Sequence, residues 1–140
     1  MATRRSRQRG WTGVPLSVLL ESAGLADGEC DIVLEGADRG VPTEEPKPPG
    51  RISYAHSIPR ARAMEPDVLI AYQMNGQDLT PDHGYPLRAI VPGYYGMSSV
   101  KWLADIVAAT QPFQGFWQTS DCGYWDDCEG IYPYAARLRK

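Results

Sequence analysis

Three basic side chains, His83, Arg88 and Lys101, lie within residues 71–102, a stretch rich in the turn-forming residues Gly and Pro. A glycine and a proline follow His83 within residues 82–86 and are expected to present its imidazole from a rigid turn. Cationic hydrogen-bond donors on such turns suit an anionic ligand, most simply a phosphate. The alternative is a surface histidine with two solvated cations, and the residue types alone leave both interpretations open.

Asp38 is the acidic candidate, because it follows a predicted strand within the sequence EGADRG. A turn aspartate commonly accepts a hydrogen bond from nearby backbone. A ligand-binding aspartate instead accepts hydrogen bonds from N–H groups of the ligand. His56 has no evident partner in the sequence and is interpreted as a structural or surface residue.

Apolar periodicity and turn residues predict an α+β chain in which strands outnumber helices. Asn75-Gly76 directly after a strand indicates a hairpin, since both residue types tolerate positive φ. A long loop is expected over residues 36–51, which contain four prolines and three glycines. Helices are predicted over residues 15–23 and 60–64, and strands over residues 31–35, 68–74, 87–91 and 100–108, the last of which also fits a helical period.

The composition is that of one modest globular domain. The chain has 140 residues and a net charge of −3, so its surface as a whole does not favour nucleic acid. Residues 1–10 contain Arg4, Arg5, Arg7 and Arg9 and are expected to form a basic, disordered tail. No apolar run follows these arginines, so an export signal is not predicted, and no segment approaches the ~18 apolar residues of a membrane span. A cytoplasmic location is expected for the chain as encoded.

Three cysteines, Cys30, Cys122 and Cys128, are too few for a disulfide framework. Cys122 and Cys128 can pair, although nothing in the sequence requires it. A zinc site is disfavoured, because it needs four ligands at closer spacing and the two histidines lie far from both of these cysteines. No metal ligands are therefore assigned from the residues alone.

Several motifs in a consistent order resemble the cofactor-binding core of the sulfite oxidase family of molybdenum enzymes. The similarity covers residues 11–124, and its many ordered motifs make it specific. In chain order the motifs are WTGVP, LEGAD, SIP, AM, VLIAYQMNG, DHGYPLR, VPG, SVKWL and WQ with Asp121.

The resemblance implies a molybdenum–molybdopterin (pyranopterin) cofactor held in the family's mixed α+β fold, of which residues 11–140 would form a partial domain. The cofactor's phosphate suits basic donors, and its pterin N–H groups suit an aspartate acceptor. The family's oxidoreductase reaction is oxygen-atom transfer, with sulfite oxidised to sulfate in the best-known members and nitrate or sulfoxides reduced in others. Carried over by position, the cofactor contacts are Asp38, His83, Arg88, Ser99, Val100 and Lys101.

Three departures from the family pattern bear on activity. The family's molybdenum-binding cysteine lies upstream of its Trp-Thr-Gly motif, and no cysteine precedes Trp11. Cys122 stands where the family has its catalytic tyrosine, which makes it the catalytic candidate at that position, and a thiolate is also a suitable soft metal ligand. Met97 and Ser98 occupy the region where sulfite-oxidising members tend to carry an arginine.

These departures predict a fragment with impaired activity, cut from a longer protein at both ends and without the family's C-terminal dimerisation domain. The alternatives are a non-catalytic cofactor-binding module and an unrelated anion-binding domain. The resemblance also implies a small oxyanion substrate and, for full-length relatives, a haem protein as redox partner and often a periplasmic location.

Overall fold

The structure is a computed structural model that describes residues 2–6, 9–25, 27–28, 31–41, 50–111 and 113. Within these ranges the chain forms eight strands, two short α-helices and two 3₁₀ turns. The strands are β1 (Ala2–Ser6), β2 (Arg9–Pro15), β3 (Asp31–Gly40), β4 (Ile52–Pro59), β5 (Leu69–Met74), β6 (Gln77–Asp78), β7 (Arg88–Ile90) and β8 (Leu103–Ala109). The helices are α1 (Leu16–Ser22) and α2 (Arg60–Ala63), and the 3₁₀ turns are Pro81–His83 and Gly96–Ser98.

The described strands form two antiparallel sheets. The larger sheet has the order β1-β2-β5-β6, with β7 also paired to β5. The smaller sheet has the order β4-β3-β8. The fold is therefore rich in sheet, with strands outnumbering helices as predicted, and its helical share is small for an α+β chain. None of the described helices has the length and apolar character needed to cross a membrane.

Two apolar clusters lie on opposite faces of β5, because alternate residues of a strand point to opposite sides. Ile70 belongs to the larger cluster, which joins both sheets and both helices. Leu69 and Ala71 belong to the smaller cluster, which also contains Trp11 and Leu79. With both faces covered, β5 forms the centre of the larger sheet. The larger cluster contains Leu16, Leu20, Ile32, Leu34, Ile58, Ala63, Val68, Ile70, Ala89, Val91 and Val100.

The elements set by local signals are confirmed. Helix α1 begins directly after Pro15, and its Leu16 and Leu20 are buried. The hairpin between β5 and β6 turns at Asn75 and Gly76, whose φ values are 54° and 79°. The segment predicted over residues 100–108 forms a strand, β8, rather than a helix.

Three expectations are corrected by the structure. Residues 2–6 of the predicted disordered tail form β1, because their backbone pairs in register with β2. The predicted strand over residues 31–35 continues to Gly40, since a register shift after Glu35 lets β3 pair again with β4. Strand β4 was not predicted, and it begins directly after the expected loop, whose first residues, 36–40, belong to β3. Residues 42–49 of that loop lie outside the described residues.

Candidate functional site

The turn that carries His83 packs directly against two other predicted site residues. Gly84, the next residue, has a φ of 101°, a conformation that L side chains rarely adopt. A Cβ atom placed on Gly84 would lie 3.1 Å from the Cβ atoms of both Arg88 and Lys101. The glycine therefore allows a close approach that brings His83, Arg88 and Lys101 into one region.

Backbone hydrogen bonds hold β7 beside residues 100–103. The Ala89 N–H donates to the Val100 carbonyl oxygen at 2.8 Å, and the Leu103 N–H donates to the Leu87 carbonyl oxygen at 2.9 Å. Two segments that are distant in the sequence thus run side by side. The backbone pairing alone therefore places Arg88 and Lys101 on neighbouring segments.

Asp38 reaches the same region through the irregular part of β3. The Ala37 N–H donates to the Trp102 carbonyl oxygen at 2.8 Å. A Cβ atom placed on Gly36 would lie 2.9 Å from the Lys101 carbonyl oxygen and 2.5 Å from Asp38 Oδ1. Gly36 therefore leaves room for the carboxylate of Asp38 beside the backbone of Lys101.

A cavity of about 250 Å³ lies at this junction. Small-molecule sites are typically about 300–1,000 Å³, so the cavity suits one ring system rather than a whole cofactor. In the described part of the chain, neither the Asp38 carboxylate nor the Lys101 ammonium forms an ion pair. Both charged residues line the cavity. The lining residues are Asp38, Tyr54, Gly96, Met97, Ser99, Lys101 and Trp102.

Arg88 is buried and bonded to backbone carbonyls rather than to a carboxylate. Its Nη1 donates to the His83 carbonyl oxygen and its Nη2 to the Ser99 carbonyl oxygen, each at 3.2 Å. Its guanidinium lies 5.0 Å from the centre of the Trp11 ring. Burial lowers the pKa of Arg88, with a smaller contribution from the charge of Arg9. An arginine nevertheless stays protonated at neutral pH, so a cation is retained inside the site.

Simple strand alternation, with Leu87 in a core and Arg88 on the opposite face, does not describe β7. Leu87 is 37% exposed, whereas Arg88 is 9% exposed. Alternation fails here because Ala89 and Ile90 are buried as well, so both faces of β7 are covered. The carbonyl partners and the Trp11 ring make the buried position tolerable for the guanidinium.

Ser99 lines the cavity with part of its hydrogen-bonding capacity in use. Its Oγ accepts a hydrogen bond from the Val91 N–H at 3.0 Å, and its own N–H donates to the Gly96 carbonyl oxygen at 3.0 Å. A hydroxyl both donates and accepts. The Ser99 hydroxyl proton is therefore left for a ligand, whereas its backbone N–H is not.

His83 and Val100 adjoin the cavity without lining it. His83 Nδ1 lies 2.8 Å from Thr80 Oγ1, a contact that fixes the ring within its turn. The Val100 side chain is 1% exposed and belongs to the larger apolar cluster. The Val100 backbone pairs with Ala89 beside the cavity, whereas its side chain packs in the core.

Trp102 adopts a strained backbone conformation at the edge of the cavity. Its φ is 48°, in the left-handed region that bulky residues rarely enter. Its Nε1 donates to the Pro81 carbonyl oxygen at 2.9 Å, and Lys101 Nζ lies 5.7 Å from its ring centre. Such strain costs about 1–3 kcal/mol and tends to occur at ligand sites.

Sequence reasoning missed four cavity residues as members of the site: Tyr54, Gly96, Met97 and Trp102. Trp102 carried a signal, since it belongs to the SVKWL motif, and Met97 was noted only as a departure. Tyr54 carried none, because β4 was not predicted. Cys122 lies outside the described residues, as do Trp117, Gln118, Asp121, Cys30 and Cys128.

Comparisons with known proteins identify the family of this chain. The family model described as "Oxidoreductase molybdopterin binding domain" matches residues 2–117. The chain is 42% identical over 116 residues to a nitrate reductase [NADH] of Petunia hybrida, covering 79% of this chain and 12% of the relative. It is 41% identical over 114 residues to the mitochondrial sulfite oxidase of Drosophila melanogaster, covering 79% of this chain and 18% of the relative.

A solved structure is similar as well. The sulfane dehydrogenase SoxCD from Paracoccus pantotrophus superposes with a TM-score of 0.67 and 34% sequence identity, covering 80% of this chain and 25% of that one. The family model and this structural similarity together define an oxidoreductase domain of the molybdopterin-binding class. This chain belongs to the sulfite oxidase family of molybdopterin-binding domains. It spans less than a fifth of the length of the curated relatives named above.

Proposed function

We propose that the cavity lined by Asp38, Ser99 and Lys101 binds the pterin part of a molybdenum–molybdopterin cofactor, for oxygen-atom transfer to or from a small oxyanion or a sulfoxide. The observation that carries the proposal is the pair of opposite charges at one cavity. Asp38 and Lys101 both line it, and within the described residues neither is neutralised by an ion pair.

The chemistry of the lining residues fits a pterin. A pterin edge presents N–H donors and ring-nitrogen and carbonyl acceptors side by side. The Asp38 carboxylate accepts from such donors, while Lys101 Nζ and the Ser99 hydroxyl donate to such acceptors. Trp102 and Tyr54 add aromatic surface to the wall. One acid and one base also leave the cavity with no net charge, which suits a neutral ring.

The protein's part in the reaction is to bind and orient. The cofactor, when bound, supplies the redox chemistry at molybdenum. The positive charges of Lys101 and Arg88 favour a negatively charged group near Ser99. Arg88 also donates a hydrogen bond to the Ser99 carbonyl oxygen. His83 keeps its turn in place through Thr80, so that Gly84 can lie against both basic residues.

The proposal is tested by replacing Asp38 with Ala. The variant and the wild-type chain are purified from a host that makes the cofactor, and the pterin content is measured by fluorescence after acid release. The matched control is Asp105→Ala, since Asp105 is an exposed carboxylate on β8 that does not line the cavity. We expect a loss of at least about tenfold for Asp38→Ala, the size of a charged hydrogen bond, and wild-type content for Asp105→Ala.

Equal pterin content in wild type and Asp38→Ala would refute the assignment of the cavity. Sulfate binding that is unchanged by Asp38→Ala, together with no pterin in the wild-type chain, would instead indicate a simple anion site built on Lys101. Both arms use folded protein, which the melting temperature of each variant verifies.

Cys122, the small oxyanion substrate and a haem redox partner stay predictions from the resemblance. For Cys122 we propose a test at the metal. The molybdenum content of wild-type and Cys122→Ser chains is compared at equal pterin content. A selective loss of molybdenum would support a ligand role for the thiolate, and equal molybdenum would remove it.

A further inference from the structure

Tyr54 links the smaller sheet to the wall of the cavity. It lies on β4, and its hydroxyl donates to the Met97 carbonyl oxygen at 2.7 Å. Both residues line the cavity. Met97 belongs to the 3₁₀ turn Gly96–Ser98, so the bond ties this turn to a sheet strand that is more than 40 residues away in the sequence.

Within the described residues, the Tyr54 bond is the long-range hydrogen bond that the turn makes. Its further backbone hydrogen bonds are local, from the Ser98 N–H to the Tyr95 carbonyl oxygen and from the Ser99 N–H to the Gly96 carbonyl oxygen. Short 3₁₀ turns have poorer hydrogen-bond geometry than α-helices. Without the Tyr54 bond, the turn would therefore rely on weak local bonds and on Ser99 for its position.

Tyr54 itself is supported from the core. Its ring centre lies 5.3 Å from that of His56, at an interplanar angle of 42°. His56 is 4% exposed and is paired in register with Leu34, which is fully buried. The His56 Nε2 has no hydrogen-bond partner within the described residues. The imidazole thus supports the Tyr54 ring by packing.

We propose that Tyr54 is a positioning residue of the cofactor site, which holds the Gly96–Ser98 turn at the cavity through its hydroxyl. Ser99, which follows the turn directly, is held by Val91 and Arg88, so the Tyr54 bond acts on the part of the cavity wall that Gly96 and Met97 form. The inference rests on the proposed function where it concerns cofactor retention. Its structural half, the restraint on the turn, stands without any ligand.

The test is Tyr54→Phe, which removes the hydroxyl and keeps the ring on His56. The matched control is Tyr72→Phe, because the Tyr72 hydroxyl makes no hydrogen bond in the described part of the chain. Hydrogen exchange at the Ser98 and Ser99 amides is measured in the chain without cofactor. We expect exchange about fivefold faster in Tyr54→Phe, the change for one typical hydrogen bond, and no change in Tyr72→Phe.

Cofactor dissociation provides the second readout. From chains loaded in a cofactor-producing host, pterin should dissociate about fivefold faster in Tyr54→Phe than in Tyr72→Phe or wild type. Unchanged exchange at Ser98 and Ser99 overturns the inference even if no chain holds pterin. Faster exchange with no pterin in the wild type supports the restraint and refutes the proposed function alone. Faster exchange with an unchanged pterin dissociation rate overturns the positioning role at the cofactor site.

Discussion

Gly84→Ala should reduce the stability of the fold more than a Gly→Ala change at a positive-φ glycine that has open space around it. The φ of 101° alone costs an alanine about 1–2 kcal/mol. The new Cβ would also lie 3.1 Å from the Cβ atoms of Arg88 and Lys101, closer than ordinary van der Waals contact. Such overpacking adds about 1–3 kcal/mol. We therefore expect a total loss of about 2–5 kcal/mol in the free energy of unfolding.

Gly93→Ala is the matched control, because Gly93 has a φ of 82° and no atom within 4 Å of its Cβ position. It should lose only the conformational part, about 1–2 kcal/mol. Urea denaturation gives both free energies, and thermal melts should separate the variants by roughly 4 °C per kcal/mol for a domain of this size. Equal destabilisation of the two variants would show that the His83 turn does not pack on Arg88 and Lys101, and would refute the geometry of the site.

Two further changes test the fold. Burial lowers the pKa of His56 to about 4, below its ordinary 6.5, so the unfolded chain binds more protons between these values and stability falls as the pH drops from about 6.5 to 4. The loss of stability reaches at most about 3 kcal/mol. In urea denaturation at several pH values, His56→Gln should lack this pH-dependent loss, and His83→Gln should keep it. An identical pH profile for the two variants would contradict the assignment to His56. Gly13→Ala should cost about 3 kcal/mol or more, because its Cβ would overlap the Ile70 carbonyl oxygen where β2 pairs with β5. A wild-type melting temperature would rule this out.

Much of the fold was predictable where local chemistry decides the structure. Pro15 precedes a helix whose Leu16 and Leu20 face the core, and the hairpin at Asn75 needs only residues that tolerate positive φ. Strand β4 was not predictable in this way. Its buried run, residues 55–58, includes two polar residues and shows no alternation, so its strand character comes from pairing with β3.

The extent of β3 was hidden for a similar reason. A bulge after Glu35 shifts its register against both neighbours, and residues 37–40 are exposed. No hydrophobic pattern marks such a segment, and Gly36 reads as the start of a loop. The resemblance to a known family located Asp38 nonetheless, because it depends on a motif rather than on periodicity. What it did not give is the contact between Gly36 and the backbone of Lys101.

The role of Arg88 shows why position in a motif and function of a side chain are separate questions. The residue types suggested a direct phosphate donor, yet two of its nitrogens are bonded to the carbonyl oxygens of His83 and Ser99. A buried cation that donates hydrogen bonds to backbone carbonyl oxygens holds the two segments together. Its charge still acts on neighbouring groups, because the surrounding low dielectric screens it weakly. Lys101 is the cation that lines the cavity. Under the proposed function, Lys101 would contact an anionic group of the cofactor directly, and Arg88 would add a second charge while it holds the Ser99 carbonyl oxygen.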